Sequence, residues 1–174
     1  AAATQCILQS GQKKLILQSD AAPDVVALCR AIKKNCAVHG VDVTVQEAEV
    51  AAHASQGHVE RYSDKLASQS RALLLTLEGR LGVKISASQK ILVWLIRHAS
   101  WLLFHFAQTN GATPYFRRTG IAYDHRVAEF GESIECNIGD GSRASTLPKL
   151  QPRWLSGVWL GRSDINGSNI CAVM

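Results

Sequence analysis

No run of this chain is apolar for long enough to span a bilayer. The longest candidate, residues 91–106, is 16 residues long and carries Arg97 and His98 near its middle. A spanning helix takes about 20 predominantly apolar residues, so the run reads as a buried helix, and no membrane partner is expected. Residues 1–10 lack the basic start and long apolar stretch of a secretory leader. The cysteines, Cys6, Cys29, Cys36, Cys136 and Cys171, are odd in number and form no tight framework. That argues against a disulfide scaffold and for reduced thiols in an intracellular compartment. An initiator Met is absent and a strand-like segment follows soon after Ala1, so the expectation is a piece of a longer chain. No internal repeat is evident.

What is present points to a folded protein. Of 174 residues, 47% are hydrophobic, enough to bury a substantial core in one domain or one and a half small ones. The formal net charge is +5. A basic surface is compatible with nucleic acid as a partner, but many basic proteins bind none.

Leu15 to Leu17 form a short apolar run followed by Gln18-Ser19-Asp20, the pattern of a buried strand that delivers Asp20 at its C-terminal end. Residues 24–39 read as a helix with Val25, Leu28, Cys29 and Ile32 on one face, Pro23 near its start and Gly40 after its end. Val41, Val43 and Val45 then alternate with polar residues, the period of a half-buried strand. Strand, helix, strand is an α/β signature.

Residues 48–57 are small and irregular and read as a loop. A long helix is predicted over 58–80, with Val59, Tyr62, Leu66, Leu73 and Leu77 along one stripe and Gly82 closing it. A second is predicted over 88–108, capped by Ser88 and broken by Asn110-Gly111. Thr113-Pro114 opens a short helix that stops before Gly120. Past Val127 the texture turns to short β-prone segments at 133–138, 158–160 and 169–173, the last entered through Asn166-Gly167. Gly-rich residues 139–145 read as a loop. The domain boundary is placed near residue 127, giving an α/β part over 1–126 and a small β module over 127–174.

Two carboxylates stand out. Asp20 follows a strand, and Glu60 falls in the first turn of the predicted long helix, after a small-residue loop. Two-metal phosphoryl transfer needs hard oxygen ligands that hold divalent ions about 3.5–4 Å apart, and Mg²⁺ takes a few carboxylates plus water and phosphate oxygens. The plainer readings stand beside this one. An Asp after a strand is often a turn residue, and a Glu in a first turn complements the helix macrodipole.

The surrounding residues carry a resemblance. Leu15-Ile16-Leu17-Gln18-Ser19-Asp20, followed by Ser55-Gln56-Gly57-His58-Val59-Glu60-Arg61, resembles the second half of the catalytic core of retroviral-type integrases, most closely those of copia-type retrotransposons. His98-Ala99-Ser100-Trp101-Leu102-Leu103, Asn110-Gly111-Ala112-Thr113-Pro114-Tyr115 and Arg118-Thr119-Gly120 follow in the family's order. So do the Phe130-Gly131-Glu132 segment, Lys149 to Trp154, and Gly157 to Gly161. The likeness runs from about residue 15 to 169.

The resemblance implies a partial ribonuclease H-like three-layer core, a mixed sheet with helices, followed by a small β-barrel-like module. It implies an Asp, Asp, Glu triad binding Mg²⁺ or Mn²⁺, with Asp20 as the second Asp and Glu60 as the Glu; the first Asp would lie on a strand before Ala1. It further implies that Gln56, His58, Arg61 and Lys65 face DNA, and that the complete protein is a homo-oligomer acting in the nucleus. There it would process element DNA ends and join them to target DNA. Ala21-Ala22 after Asp20, Phe116 after Pro-Tyr, and Phe104-His105 depart from the family's usual residues. The alternative is a catalytically incomplete DNA-binding or assembly remnant of a mobile element. Losing the early strands would leave an open apolar edge, so a marginally stable or self-associating chain is expected.

Other residues have plainer explanations. Cys29, Cys36 and His39 do not match common zinc spacings, and Cys29 lies on an apolar face. Trp154 and Trp159 could stack bases but are expected in the core of the β module. Lys13-Lys14, Lys33-Lys34, Arg117-Arg118, Lys149 and Arg153 are scattered cations, most simply soluble faces.

Overall fold

A computed structural model describes residues 2–19, 22–47, 53–137, 153–164 and 166–173. The chain is mixed α/β and divides by compactness into two units, Ala1–Tyr62 and Ser63–Met174.

In the first unit, helix α1 (Ala2–Gln9) leads to strand β1 (Lys14–Ser19), helix α2 (Pro23–Val38) and strand β2 (Asp42–Glu47). The two strands pair in parallel, from Lys14 opposite Asp42 to Ser19 opposite Glu47. Parallel neighbours need a crossover, which α2 supplies. Pro23 opens α2 where its missing N–H costs nothing. Val26, Cys29, Ile32 and Cys36, spaced three, three and four apart, are the buried residues of this helix. The stripe is rotated from expectation, for Leu28 is 58% exposed. Ile32, Cys36, Val41 and Val43 form the core, with Ile7, Leu8, Leu15 and Leu17 packed against it. Alternation along β1 turns Ile16 the other way, where it is 65% exposed. Among the described residues β1 has no strand on its second edge.

Helix α3 (His53–Leu81) runs across the division. It starts five residues before its expected beginning at 58, so residues 53–57, read as loop, are helical. Its apolar stripe is unevenly covered: Val59 and Tyr62 are exposed, whereas Leu77 is 2% exposed.

In the second unit, Gly82 (φ +67°) donates its N–H to the Glu78 carbonyl at 2.9 Å and ends α3. The Glu78 carboxylate then accepts from Lys84 Nζ at 2.7 Å and from the Ile85 N–H at 2.9 Å, fixing the turn toward helix α4 (Ile91–Phe106). Those two donors hold the Glu78 carboxyl below the ordinary carboxylate range, Lys84 foremost. Ser88 does not cap α4. The cap position is Lys90, and Ser88 Oγ lies 3.1 Å from Ser86 Oγ in the preceding turn. No helix among the described residues is long and apolar enough to cross a membrane.

Thr113 Oγ1 accepts from the Phe116 N–H at 3.0 Å to start helix α5 (Pro114–Thr119), and Gly120 stops it in the left-handed region. Strands β3 (Ser133–Asn137), β4 (Trp154–Arg162) and β5 (Asn169–Val173) form an antiparallel sheet in that order, with an irregularity between Trp159 and Gly161. The sheet is open; no barrel closes among the described residues. Leu77, Leu95, Phe130 and Leu160 share one core, so the texture change at residue 127 falls inside this unit. Gly131 is required there: at φ +76°, an added Cβ would come within 2.6 Å of Leu77 Cδ1 and 2.9 Å of Arg80 Nη2. The loop at 139–145 lies outside the described residues.

Candidate functional site

Strand β1 ends at Ser19, and Asp20 itself lies outside the described residues. Ser19 is buried, and its hydroxyl has no hydrogen-bond partner among the described residues.

Glu60 is exposed on α3, seven positions after His53. Two turns inside the helix, it is beyond the reach of the N-terminal partial charge, which acts within the first turn. The macrodipole explanation for this carboxylate therefore falls away. Arg61 is exposed and folds back along the helix, its Nε donating to the Gly57 carbonyl at 2.8 Å. Lys65, four residues on, is exposed. The side chains of Gln56 and His58 lie outside the described residues, though both positions are helical. Of the expected metal pair, then, one member is seen, on a solvent-facing helix surface. Among the described residues no three His, Cys, Asp or Glu side chains are grouped to hold a metal ion.

The sequence reading missed an aromatic cluster with two histidines in the core of the second unit. His98 is 3% exposed, stacked on Trp101 and Phe130 and met edge-on by Trp159 at 5.1 Å. Burial pulls its pKa down to about 4, because a charged ring has no solvation there. Its Nδ1 has no partner among the described residues. One helical repeat on, His105 is 9% exposed and stacks on Trp101 at 4.0 Å, with its Nδ1 2.8 Å from the Trp101 carbonyl. Burial lowers its pKa, and that carbonyl opposes the shift. Tyr123 meets Trp101 and His105 edge-on. The signal was present: residues 95, 98, 101 and 105 recur at helical spacing, which places both histidines on the face of Leu95 and Trp101. Among the described residues this cluster pairs no nucleophile with a base, and its rings pack on one another.

Cys29 and Cys36 are buried thiols on α2, while His39 is exposed. Trp159 is 2% exposed, in the core as expected, whereas Trp154 is 59% exposed. Arg117 and Arg118 are exposed and engage local partners. One donates to the Thr109 carbonyl, and the other lies over the Phe104 ring at 4.9 Å.

No protein-family model matches the chain, and no curated protein matches it.

Proposed function

We propose that this chain is part of a retrotransposon integrase, a metal-dependent polynucleotidyl transferase with a ribonuclease H-like core. Its substrates are element DNA ends and target DNA, its site of action the nucleus, and its complete form a homo-oligomer. The observation that carries the reading is the parallel β1–α2–β2 unit whose first strand ends beside Asp20. With it goes Glu60, on a long helix where no capping role accounts for it.

The residues suit the ion such a reaction uses. Asp20 and Glu60 supply hard oxygen donors of the kind Mg²⁺ or Mn²⁺ takes, and the orphaned Ser19 hydroxyl makes the end of β1 polar. When bound, the ion neutralises charge on the transferred phosphoryl group. Asp20 and Glu60 would hold it, and a third carboxylate would complete the triad. Gln56, His58, Arg61 and Lys65 would contact the phosphate backbone, which fixes register without reading sequence.

The test is Glu60→Gln in a version that includes the coding sequence upstream of Ala1. Strand transfer should drop by about three orders of magnitude, the value of several kcal/mol of transition-state charge stabilisation, with unchanged circular dichroism. Undiminished strand transfer would remove Glu60 from the site.

A second reading is a DNA-binding or assembly remnant. It is favoured by charge: residues 63–174 hold thirteen Lys and Arg against eight Asp and Glu, whereas residues 1–62 hold six of each. DNA affinity independent of divalent ions, together with stop codons upstream of Ala1, would select it.

A further inference from the structure

A cavity of about 360 Å³ opens between α1 and the end of α2. Ligand pockets run from roughly 300 to 1,000 Å³, so it has room for one small molecule. Helix α1 lines it with Thr4, Gln5 and Leu8, and α2 with its cap lines it with Asn35, Val38 and His39. Residues three or four apart share a helix face, which is why Thr4 joins Leu8 and Asn35 joins Val38 and His39. Thr4 is 7% exposed, and its hydroxyl has no hydrogen-bond partner among the described residues. A buried hydroxyl without a partner lowers stability, and a ligand in the cavity whose wall it belongs to would pair it.

The lining decides the class of ligand. Among the described residues it holds no Lys, Arg, Asp or Glu, so neither an anion nor a divalent cation meets a charged side chain there. Two carboxamides, Gln5 and Asn35, each offer a donor beside an acceptor. Leu8 and Val38 are aliphatic, and Val38 is 81% exposed, an apolar surface open to a flat ring. The end of α2 adds a preference of sign. The His39 N–H turns back to the Ala37 and Cys36 carbonyls, and the carbonyl end of a helix carries partial negative charge. That end favours a ligand edge that donates. A planar, uncharged ring with an amino donor beside a ring acceptor meets all of these demands. The N6 and N7 edge of adenine is the one that Asn and Gln pair with through two hydrogen bonds.

We infer that the α1–α2 cavity is a binding site for an amino-bearing nucleobase of the adenine class. Asn35 takes the amino group and ring nitrogen, Gln5 and Thr4 hydrogen-bond the remaining polar edge, and the ring lies against Leu8 and Val38. The inference does not rest on the integrase reading. The base arrives either free, as a nucleoside, or unpaired in a DNA strand.

The experiment is equilibrium dialysis of the whole chain against labelled adenosine, with thymidine as the comparison. Adenosine should bind saturably, and thymidine at least about 10-fold more weakly, within the roughly 5- to 150-fold that one bidentate amide–base pair discriminates. Asn35→Leu and Gln5→Leu, both at exposed positions, should each weaken adenosine binding by a factor in that range. Gln9→Leu, on α1 but outside the cavity, should leave it unchanged. Thr4→Val carries a double signature. It should weaken adenosine binding and, by removing an unpaired hydroxyl, raise the urea midpoint of the ligand-free chain in far-ultraviolet dichroism. If a short oligodeoxyadenylate displaces the label at lower concentration than adenosine does, the base belongs to a strand; the reverse order assigns a free nucleoside. The site is refuted if no saturable binding appears below about 1 mM adenosine or if thymidine binds equally well. It is equally refuted if Asn35→Leu or Thr4→Val binds adenosine as wild type does.

Discussion

The two units differ in how each secures its own core. The first has balanced charge, one aromatic residue, Tyr62, and, among the described residues, a parallel strand pair with no third strand. The second holds the other ten aromatics and the whole charge excess, and its strands pair in sequence order, antiparallel. Parallel sheets are ordinarily covered on both faces. A two-stranded one with Ile16 in solvent is a poor free-standing object. Antiparallel neighbours can leave one face to water and ask for less. The lesson is that the unit bearing the candidate carboxylates is the one that lacks its own support.

The largest way to sharpen this contrast is Trp159→Ala. All four tryptophans lie in the second unit, so fluorescence reports that unit, whereas far-ultraviolet dichroism reports both. Removing the 2%-exposed Trp159 should cost the second unit about 3–5 kcal/mol. The urea midpoint by fluorescence should shift, and the earlier dichroism phase from the first unit should stay in place. Coincident phases shifting together would break the comparison, since two units of unequal strength do not unfold as one.

A middle-sized effect follows from pH. His98 titrates at about 4 when folded, below its ordinary 6.5. The stability tied to its neutral form is complete above pH 6.5 and is lost as pH falls toward 4. Acidification over that window should cost the second unit about 3 kcal/mol, and His98→Phe should flatten the loss. An unchanged acid limb in that variant would return the effect to other groups. The smallest effect concerns the surface: Arg97→Ala, which removes a 3.1 Å pair with Asp164, should change stability by less than about 1 kcal/mol, as read by the same urea midpoint.

Local rules made much of the second unit legible. Thr113-Pro114 with Gly120 marked α5 because cap, proline and glycine act within a few residues. Asn166-Gly167 marked the turn into β5 for the same reason. Errors arose where distant packing decides. Leu28 looks like a core residue on its helix, yet no described element covers it. Trp154 and Trp159 are five apart on β4, and alternation alone directs them to opposite faces, so both could not share one core. The early start of α3 was hidden by Gly57, a weak helix former that a long helix nonetheless carries. Of the candidate site, residue types and order were legible. Whether Asp20 and Glu60 converge depends on packing that spacing does not encode.

The turn between α4 and α5 has one more consequence. Asn110 and Gly111 both adopt positive φ, 52° and 75°, with Thr109 and Ala112 bridged across them. An asparagine followed by glycine is the step most open to attack of the next backbone nitrogen on the side-chain amide. Ammonia leaves, and a succinimide forms that water reopens to aspartate or isoaspartate. With a second such step at Asn166-Gly167, stored preparations will lose one positive unit of net charge per event, separating on a cation-exchange column into a ladder of ageing species.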